Sequence, residues 1–363
     1  MAATVYRQML EVMTKRGGPY AGMDIPEFYA LVEALFTPQQ AEINNVLTRK
    51  PATVADIAGQ IQKDETRTAA MLNDMADQGL CFTTVTGGIR YYQGVPFMPG
   101  IFEYQFLPGR SSEREKKIAE LIHLYKKAFT AAKPPAQITF PVTRVIPVDR
   151  KISAGNTIHT YDQVQTYIDR YDTICVGTCF CRQAALLRGE SVHDMPMEVC
   201  FWFGKAGEFA LERLGGRRLT RPEARNLLDE TESAGLIHMS RNTTEEIDFL
   251  CNCDRWHCEV VTEILKQPRP ALVFNSGFGP VVDPERCEAC ETCIGRCPPA
   301  ALEMGDQNIP MVDMDRCFGC AVCASGCPQD AILMETRPGW QEPPGSVKDL
   351  VTALKKDAAA RQA

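Results

Sequence analysis

The sequence is informative first for what is missing from it. No apolar run approaches the ~20 residues a helix needs to cross a bilayer, so no transmembrane segment is expected. The opening stretch, MAATVYRQMLEVMTKRGGPY, reads as a short amphipathic helix of mixed charge. It has neither the apolar core nor the small-residue cleavage site of a secretory signal, and a cytoplasmic location is the expectation. Positive charge is not in excess: the formal net charge is −7, which argues against broad affinity for nucleic acid or an acidic membrane. There is no G-x-G-x-x-G after a strand and no Walker A segment, the glycine-rich turns that cradle dinucleotide and nucleotide phosphates. A disulfide framework is the mark of small secreted domains, and this chain of 363 residues is neither small nor visibly secreted.

What is present suggests an α+β multidomain protein. The length predicts two or three domains, and 45% hydrophobic with 23% charged residues is ordinary for a globular chain. Residues 1–35 read as helical, with Met9, Val12 and Met13 on one face. PQQAEINNVLT, TVADIAGQIQ and ETRTAAMLNDMADQGL carry apolar residues at helical spacing, with Thr53 and Asp64 as N-caps. CFTTVTGGIRYYQ then reads as a β-hairpin turning at Gly87 and Gly88. Three helices followed by a hairpin resembles a winged helix, so residues 1–110 are assigned to a helical, winged-helix-like domain. Residues 111–150 hold one long helix (SEREKKIAELIHLYKKAFTAA) and a connector around Pro134, Pro135, Pro141 and Pro147. Residues 151–272 form a central mixed α/β, cysteine-rich domain. In it Thr220 and Glu223 fit a capping box, and Gly235 fits the stop of the helix they open. Residues 273–336 form a ferredoxin-like two-cluster domain, and residues 337–363 a tail ending in a Lys- and Ala-rich surface helix.

Fifteen of the sixteen cysteines lie between Cys175 and Cys327. Only Cys81 stands apart, in an apolar strand-like run where it reads as a core residue. Clustering on this scale points to metal. VVDPERCEACETCIGRCPPAALEM aligns with MVDMDRCFGCAVCASGCPQDAILM, matching Asp283 to Asp313, Arg286 to Arg316 and all four cysteines. Each repeat reads C-x-x-C-x-x-C-x-x-x-C-P. Three cysteines in a tight loop wrap three corners of an iron–sulfur cube, and the fourth starts a short helix leading to the other cube. Cys287, Cys290, Cys293 and Cys327 are therefore expected on one [4Fe–4S] cluster, and Cys317, Cys320, Cys323 and Cys297 on a second. Gly295, Gly319 and Gly326 are expected to let the backbone approach and turn its amides to the sulfurs, with Pro298 and Pro328 fixing the chain after the last ligand. Zinc prefers two separated C-x-x-C pairs. Residues 280–334 resemble the bacterial two-cluster ferredoxins, and that resemblance implies one-electron transfer.

The remaining cysteines are Cys175, Cys179 and Cys181 in ICVGTCFCR, Cys200 in MEVCFWFG, and Cys251, Cys253 and Cys258 in FLCNCDRWHC. Two C-x-C pairs would clamp one centre from opposite sides, with Arg182 offsetting thiolate charge. Over residues 170–335 the chain resembles a family of 4Fe-4S binding proteins of anaerobes, with an upstream C-x-C-R, a lone cysteine and a C-N-C run. Cys179-Phe180-Cys181-Arg182, Cys200, Cys251-Asn252-Cys253 and Cys258 match. Asp254, Trp256 and His257 stand where that family often has cysteine, so one extra centre is expected rather than two. Its candidate ligands are Cys179, Cys181, Cys200, Cys251, Cys253 and Cys258, holding a third [4Fe–4S] cluster or a structural zinc. Cys175 reads as core, His257 as a packing residue or a ligand, and Arg217 and Arg218 as a solvated turn or an anion contact.

The winged-helix resemblance brings DNA to mind, but the third helix carries Glu65, Asp74 and Asp77 against only Arg67, and the hairpin adds only Arg90. An acidic recognition helix repels phosphates. Docking of a partner protein, or dimerisation, suits it better. The expected function is therefore an iron–sulfur electron carrier, a subunit or partner of a larger anaerobic oxidoreductase rather than a stand-alone enzyme. The alternatives are a redox-sensing regulator of transcription and an oxidoreductase with its substrate at the upstream cysteine centre.

Overall fold

The protein, described here by a computed structural model, is characterised over residues 4–132, 140–148, 152 and 163–360. Pro134 and Pro135 of the expected connector lie outside the described residues. The chain forms two compact units that alternate along the sequence. Met1–Ala136, Gly177–Met197 and Lys205–Arg217 make the first; Gln137–Val176, Glu198–Gly204 and Arg218–Ala363 make the second. The segment 151–272 thus contributes to both. No helix among the described residues is long and apolar enough to cross a membrane.

The first unit opens with α1 (Thr4–Arg16), which buries Met9 and Met13 while Val12 stays half-buried. The expected helical stretch is broken in two. Gly17 and Gly18 take positive φ (74° and 97°) ahead of Pro19, and α2 (Pro26–Leu35) begins afresh. Three helices follow: α3 (Pro38–Val46), α4 (Val54–Ile61) and α5 (Glu65–Asp77). Thr53 caps α4 in a capping box with Asp56, and Asp64 caps α5. The strands β1 (Phe82–Thr86) and β2 (Ile89–Gln93) pair antiparallel, Thr86 opposite Ile89. Gly87 and Gly88, at φ 59° and 77°, make the tight turn whose mirror-image geometry suits strand twist. Then come α6 (Phe102–Phe106) and α7 (Glu113–Ala132). Phe28, Phe97, Phe102 and Tyr125 stack in this unit's core, with Phe97 and Phe102 centroids 5.0 Å apart. Cys81 is fully buried and its thiol meets the Leu72 carbonyl at 3.8 Å, as expected of a core residue.

Next in the chain are β3 (Thr143–Val145), α8 (Val164–Arg170), β4 (Ile174–Thr178), α9 (Phe180–Leu187), β5 (Glu198–Phe203), α10 (Gly204–Arg213), β6 (Arg217–Arg218), α11 (Arg221–Ser233), β7 (Ile237–Arg241), β8 (Phe249–Cys253) and α12 (Glu259–Leu265). The six strands form one sheet in the order β3-β7-β8-β5-β4-β6. Antiparallel register sets Phe201 opposite Leu250, and Met239 opposite Cys251. Alternation along the strands gives the second unit two cores. Phe201, Phe203 and Leu250 pack with Tyr167 and Ile168 of α8 and Leu228 of α11. Met239 and Cys253 pack with Val261 and Ile264 of α12. Thr220 and Glu223 make the expected capping box of α11, and Gly235 follows its end at φ 79°.

The duplicated segment folds as β9 (Phe278–Val282), α13 (Thr292–Arg296), β10 (Leu302–Met304), β11 (Pro310–Val312), α14 (Val322–Ser325) and β12 (Ile332–Thr336). β9 pairs with β12, and β10 with β11. The first strand of one repeat therefore pairs with the last strand of the other, which interlocks the two repeats. α15 (Val347–Ala360) follows, anchored by buried Leu350.

Candidate metal centres

The interlocked strands and the two short helices collect the eight ferredoxin cysteines around two cavities. Cys287, Cys290, Cys293 and Cys327 line one. Cys297, Cys317, Cys320 and Cys323 line the other. Each set holds three cysteines of one repeat and the fourth of the other, because α13 and α14 carry the chain from one cavity to the other between the third cysteine and the fourth.

The backbone around both cavities is bent in the same way. Three pairs of matched positions take left-handed φ: Ala289 and Gly319, Glu291 and Ala321, Ala300 and Asp330. Such turns aim successive N–H groups inward. The Ala301 amide donates to Cys297 Sγ at 3.2 Å, its mate Ala331 donates to Cys327 Sγ at 3.4 Å, and Gly319 donates to Cys317 Sγ at 3.4 Å. Of the three glycines expected to admit the backbone, only Gly319 does so, at φ 66°; a Cβ there would strike the Phe278 carbonyl and the Ser276 hydroxyl. Gly295 faces open space. Gly326 serves Arg296 instead, whose guanidinium fills the place of a Cβ and donates to the carbonyls of Glu232, Ser233 and Val322 at 2.8, 3.0 and 3.3 Å.

The two cavities differ in burial and charge. In the first, which we call outer, Cys290 is exposed and Glu288 and Glu291 lie at the surface. Cys290 Sγ lies 3.4 Å from Thr292 Oγ1, and this hydrogen bond holds the thiol below its ordinary value. In the second, or inner, cavity all four cysteines are buried. Burial pushes Cys317 up to about 11 and Cys320 and Cys323 above the ordinary thiol range. Arginines gather there: Arg255 donates to the Cys297 carbonyl at 3.2 Å, Arg337 to the Cys317 carbonyl at 2.8 Å, and Arg316 to the Pro299 carbonyl at 3.0 Å. Nothing in the motif announces Arg255 or Arg337, since both lie outside the repeats; Arg316 was visible as the mate of Arg286.

Four thiols per cavity, amides directed at sulfur and a glycine where a Cβ would intrude together fit a thiolate-bound cube. Among the described residues, no three His, Cys, Asp or Glu side chains converge as the ligands of one ion would. The ligands of a cube stand around a volume instead.

The upstream cysteines fall in both units. In the first, Cys179 precedes α9 and donates its backbone N–H to Met197 O at 2.7 Å, and Cys181 lies in the first turn beside buried Arg182. In the second, Cys200 lies on β5, Cys251 and Cys253 on β8, and Cys258 just before α12. The Cys253 thiol is hydrogen-bonded to those of Cys251 and Cys258. Cys175 is fully buried on β4, as a core residue would be. His257 Nδ1 is held 3.2 Å from Asp254 Oδ2. Arg217 and Arg218 are exposed on β6.

Residues 310–333 match the model of a 4Fe-4S binding domain. No curated protein matches the chain, and no solved structure does. The matched segment spans Cys317, Cys320, Cys323 and Cys327. The chain thus carries a ferredoxin-type segment that binds a [4Fe–4S] cluster, and it is an iron–sulfur protein able to transfer electrons.

Proposed function

We propose that this protein is a two-cluster electron carrier serving a larger oxidoreductase as subunit or partner. The observation that carries the reading is the pair of four-cysteine cavities, each completed by the last cysteine of the other repeat. A [4Fe–4S] cube supplies one-electron chemistry over a wide range of potentials. The protein's own residues then assign different tasks to the two sites. The exposed Cys290 and the shallow surroundings of the outer cavity offer close approach to a redox partner. Around the inner cavity, burial excludes water, and the carbonyls bonded by Arg255, Arg316 and Arg337 hold the loop still. Guanidinium charge beside thiolates favours the more negative, reduced state.

The helices and hairpin of the first unit would dock the partner, or a second copy of the chain. Arg90, the hairpin's one cation, is engaged by Glu212 at 2.6 Å, and Asp77 of α5 by Arg213 at 2.9 Å. Neither pair leaves free positive charge for a phosphate backbone.

Anaerobic purification with iron and sulfide counting, joined to electron paramagnetic resonance of the reduced protein, tests the proposal. At least about eight irons and the signal of two magnetically coupled cubes are expected. Zinc on the eight ferredoxin sulfurs, or iron too scarce for two cubes, would overturn it.

A further inference from the structure

One face of the central sheet carries a set of thiols that the ferredoxin repeats do not use. On β5, Phe201 and Phe203 point into the core shared with α8 and α11, so Cys200 and Trp202 lie on the other face. On β8, Leu250 enters that same core, so Cys251 and Cys253 also lie on the other face. The register sets Phe201 opposite Leu250 and Trp202 opposite Phe249. Carried one step further, it places Cys200 beside Cys251. Directly opposed residues on one sheet face have Cβ atoms about 4.5–5.5 Å apart.

Asn252, between the two β8 cysteines, points the other way. It donates to Val199 O at 2.6 Å, and its Oδ1 lies 2.6 Å from His238 Nδ1. That buried network holds β8 from behind, with Cys251 and Cys253 turned to the opposite side. The fourth thiol arrives by a turn. Asp254 Oδ1 accepts the N–H groups of Trp256 and His257 at 2.8 and 2.6 Å, and this folds the chain back until the Cys258 thiol meets that of Cys253.

The location is also defined. Cys253 and Cys258 share a core with Phe318, Cys320 and Val322 of the inner loop. Arg255, within the turn, donates to the carbonyl of Cys297, which lines the inner cavity.

We infer that Cys200, Cys251, Cys253 and Cys258 hold an additional iron–sulfur cluster, beside the inner ferredoxin cavity. A sheet face with three thiols, a turn built to return the fourth and an arginine shared with a neighbouring cube site place this thiol set beside a redox cluster.

The test is metal analysis of the full chain purified without oxygen, in wild-type form and as Cys253→Ser/Cys258→Ser. The wild type is expected to hold about twelve irons and almost no zinc, and the double variant about eight. A wild type with about eight irons would overturn the inference and leave the two-cube reading standing, whether or not zinc accompanies the iron. Iron below about eight that still drops by about four in the double variant would keep the inference and sink the two-cube reading instead. The wild-type count, with quantitation of spins in the reduced protein, decides the matter even where the variant does not fold.

Discussion

The outer and inner cavities are built from repeats that match cysteine for cysteine, yet their surroundings are unlike. The outer loop carries an exposed cysteine and surface glutamates. Across the repeats Gln329 donates to Glu288 at 2.8 Å, and Asp283 N–H to Ala331 O at 2.8 Å. The inner loop is held by the rest of the second unit. Val148 donates to Cys320 O at 3.3 Å, Ser276 to Phe318 O at 3.1 Å, and Arg255 and Arg337 reach the carbonyls of Cys297 and Cys317. Duplication therefore supplies two equal ligand sets, and the packing around them makes one accessible and the other structural.

Four measurements would break or sharpen that contrast. The largest effect is expected from paired substitutions. Cys320→Ser removes a ligand from a site that shares its core with Phe274, Phe318 and Val322. It should lose about four irons and melt well below the wild type by circular dichroism. Cys290→Ser should lose or weaken one cube while the protein melts close to the wild type. Equal damage from the two would erase the distinction.

Exposure to air or a chelator comes next. Iron should leave in more than one phase, the fastest of about four irons, and that phase should be missing or faster still in Cys290→Ser. Single-phase loss would mean that burial does not protect the inner site.

Third is Arg296→Ala, which strips three carbonyls of a charged donor. Charged hydrogen bonds contribute about 1.5–3 kcal/mol each, and partial exposure of Arg296 discounts the sum. A loss of about 2–3 kcal/mol is expected in denaturant unfolding. Gly326→Ala should shift stability in the same direction, because it displaces the same guanidinium.

The smallest effect is on the metal-free chain. Burial raises Cys317 to about 11 in the fold, whereas an unfolded thiol titrates near about 8.5. Below the unfolded value both states are protonated and the contribution is intact. As pH rises through it toward 11, the unfolded chain ionises first and stability falls, by at most ~1.4 kcal/mol per pH unit per thiol. The melting temperature between pH 7 and 10 should therefore drop, and Cys317→Ser should flatten the slope. Cys290, held low by Thr292, has the opposite sign.

Much of the local structure was legible because its causes are local. The Gly87–Gly88 hairpin, the Thr53 and Asp64 caps and the Thr220–Glu223 capping box each depend on residues within a few positions of one another. The duplicated C-x-x-C-x-x-C-x-x-x-C-P spacing was legible for a related reason, and the structure lines each of two cavities with three cysteines of one repeat and the last of the other. The glycines misled. Three looked equivalent in the motif, but Gly326 answers to Arg296, which reaches on to Glu232 and Ser233 in α11. The upstream cysteines were found by type but not by arrangement. Extending the strand register by one step sets Cys200 opposite Cys251, and Cys258 returns through the turn organised by Asp254.

By itself the sequence determined which residues offer thiolates to a metal and the duplicated spacing of the eight ferredoxin cysteines, since both are written within about thirty residues. Only the tertiary structure decided which cavity faces solvent, which arginines stand beside the buried one and which sheet face carries Cys200, Cys251 and Cys253. Those outcomes depend on strand pairing and burial between segments far apart in the chain, and no local spacing encodes them.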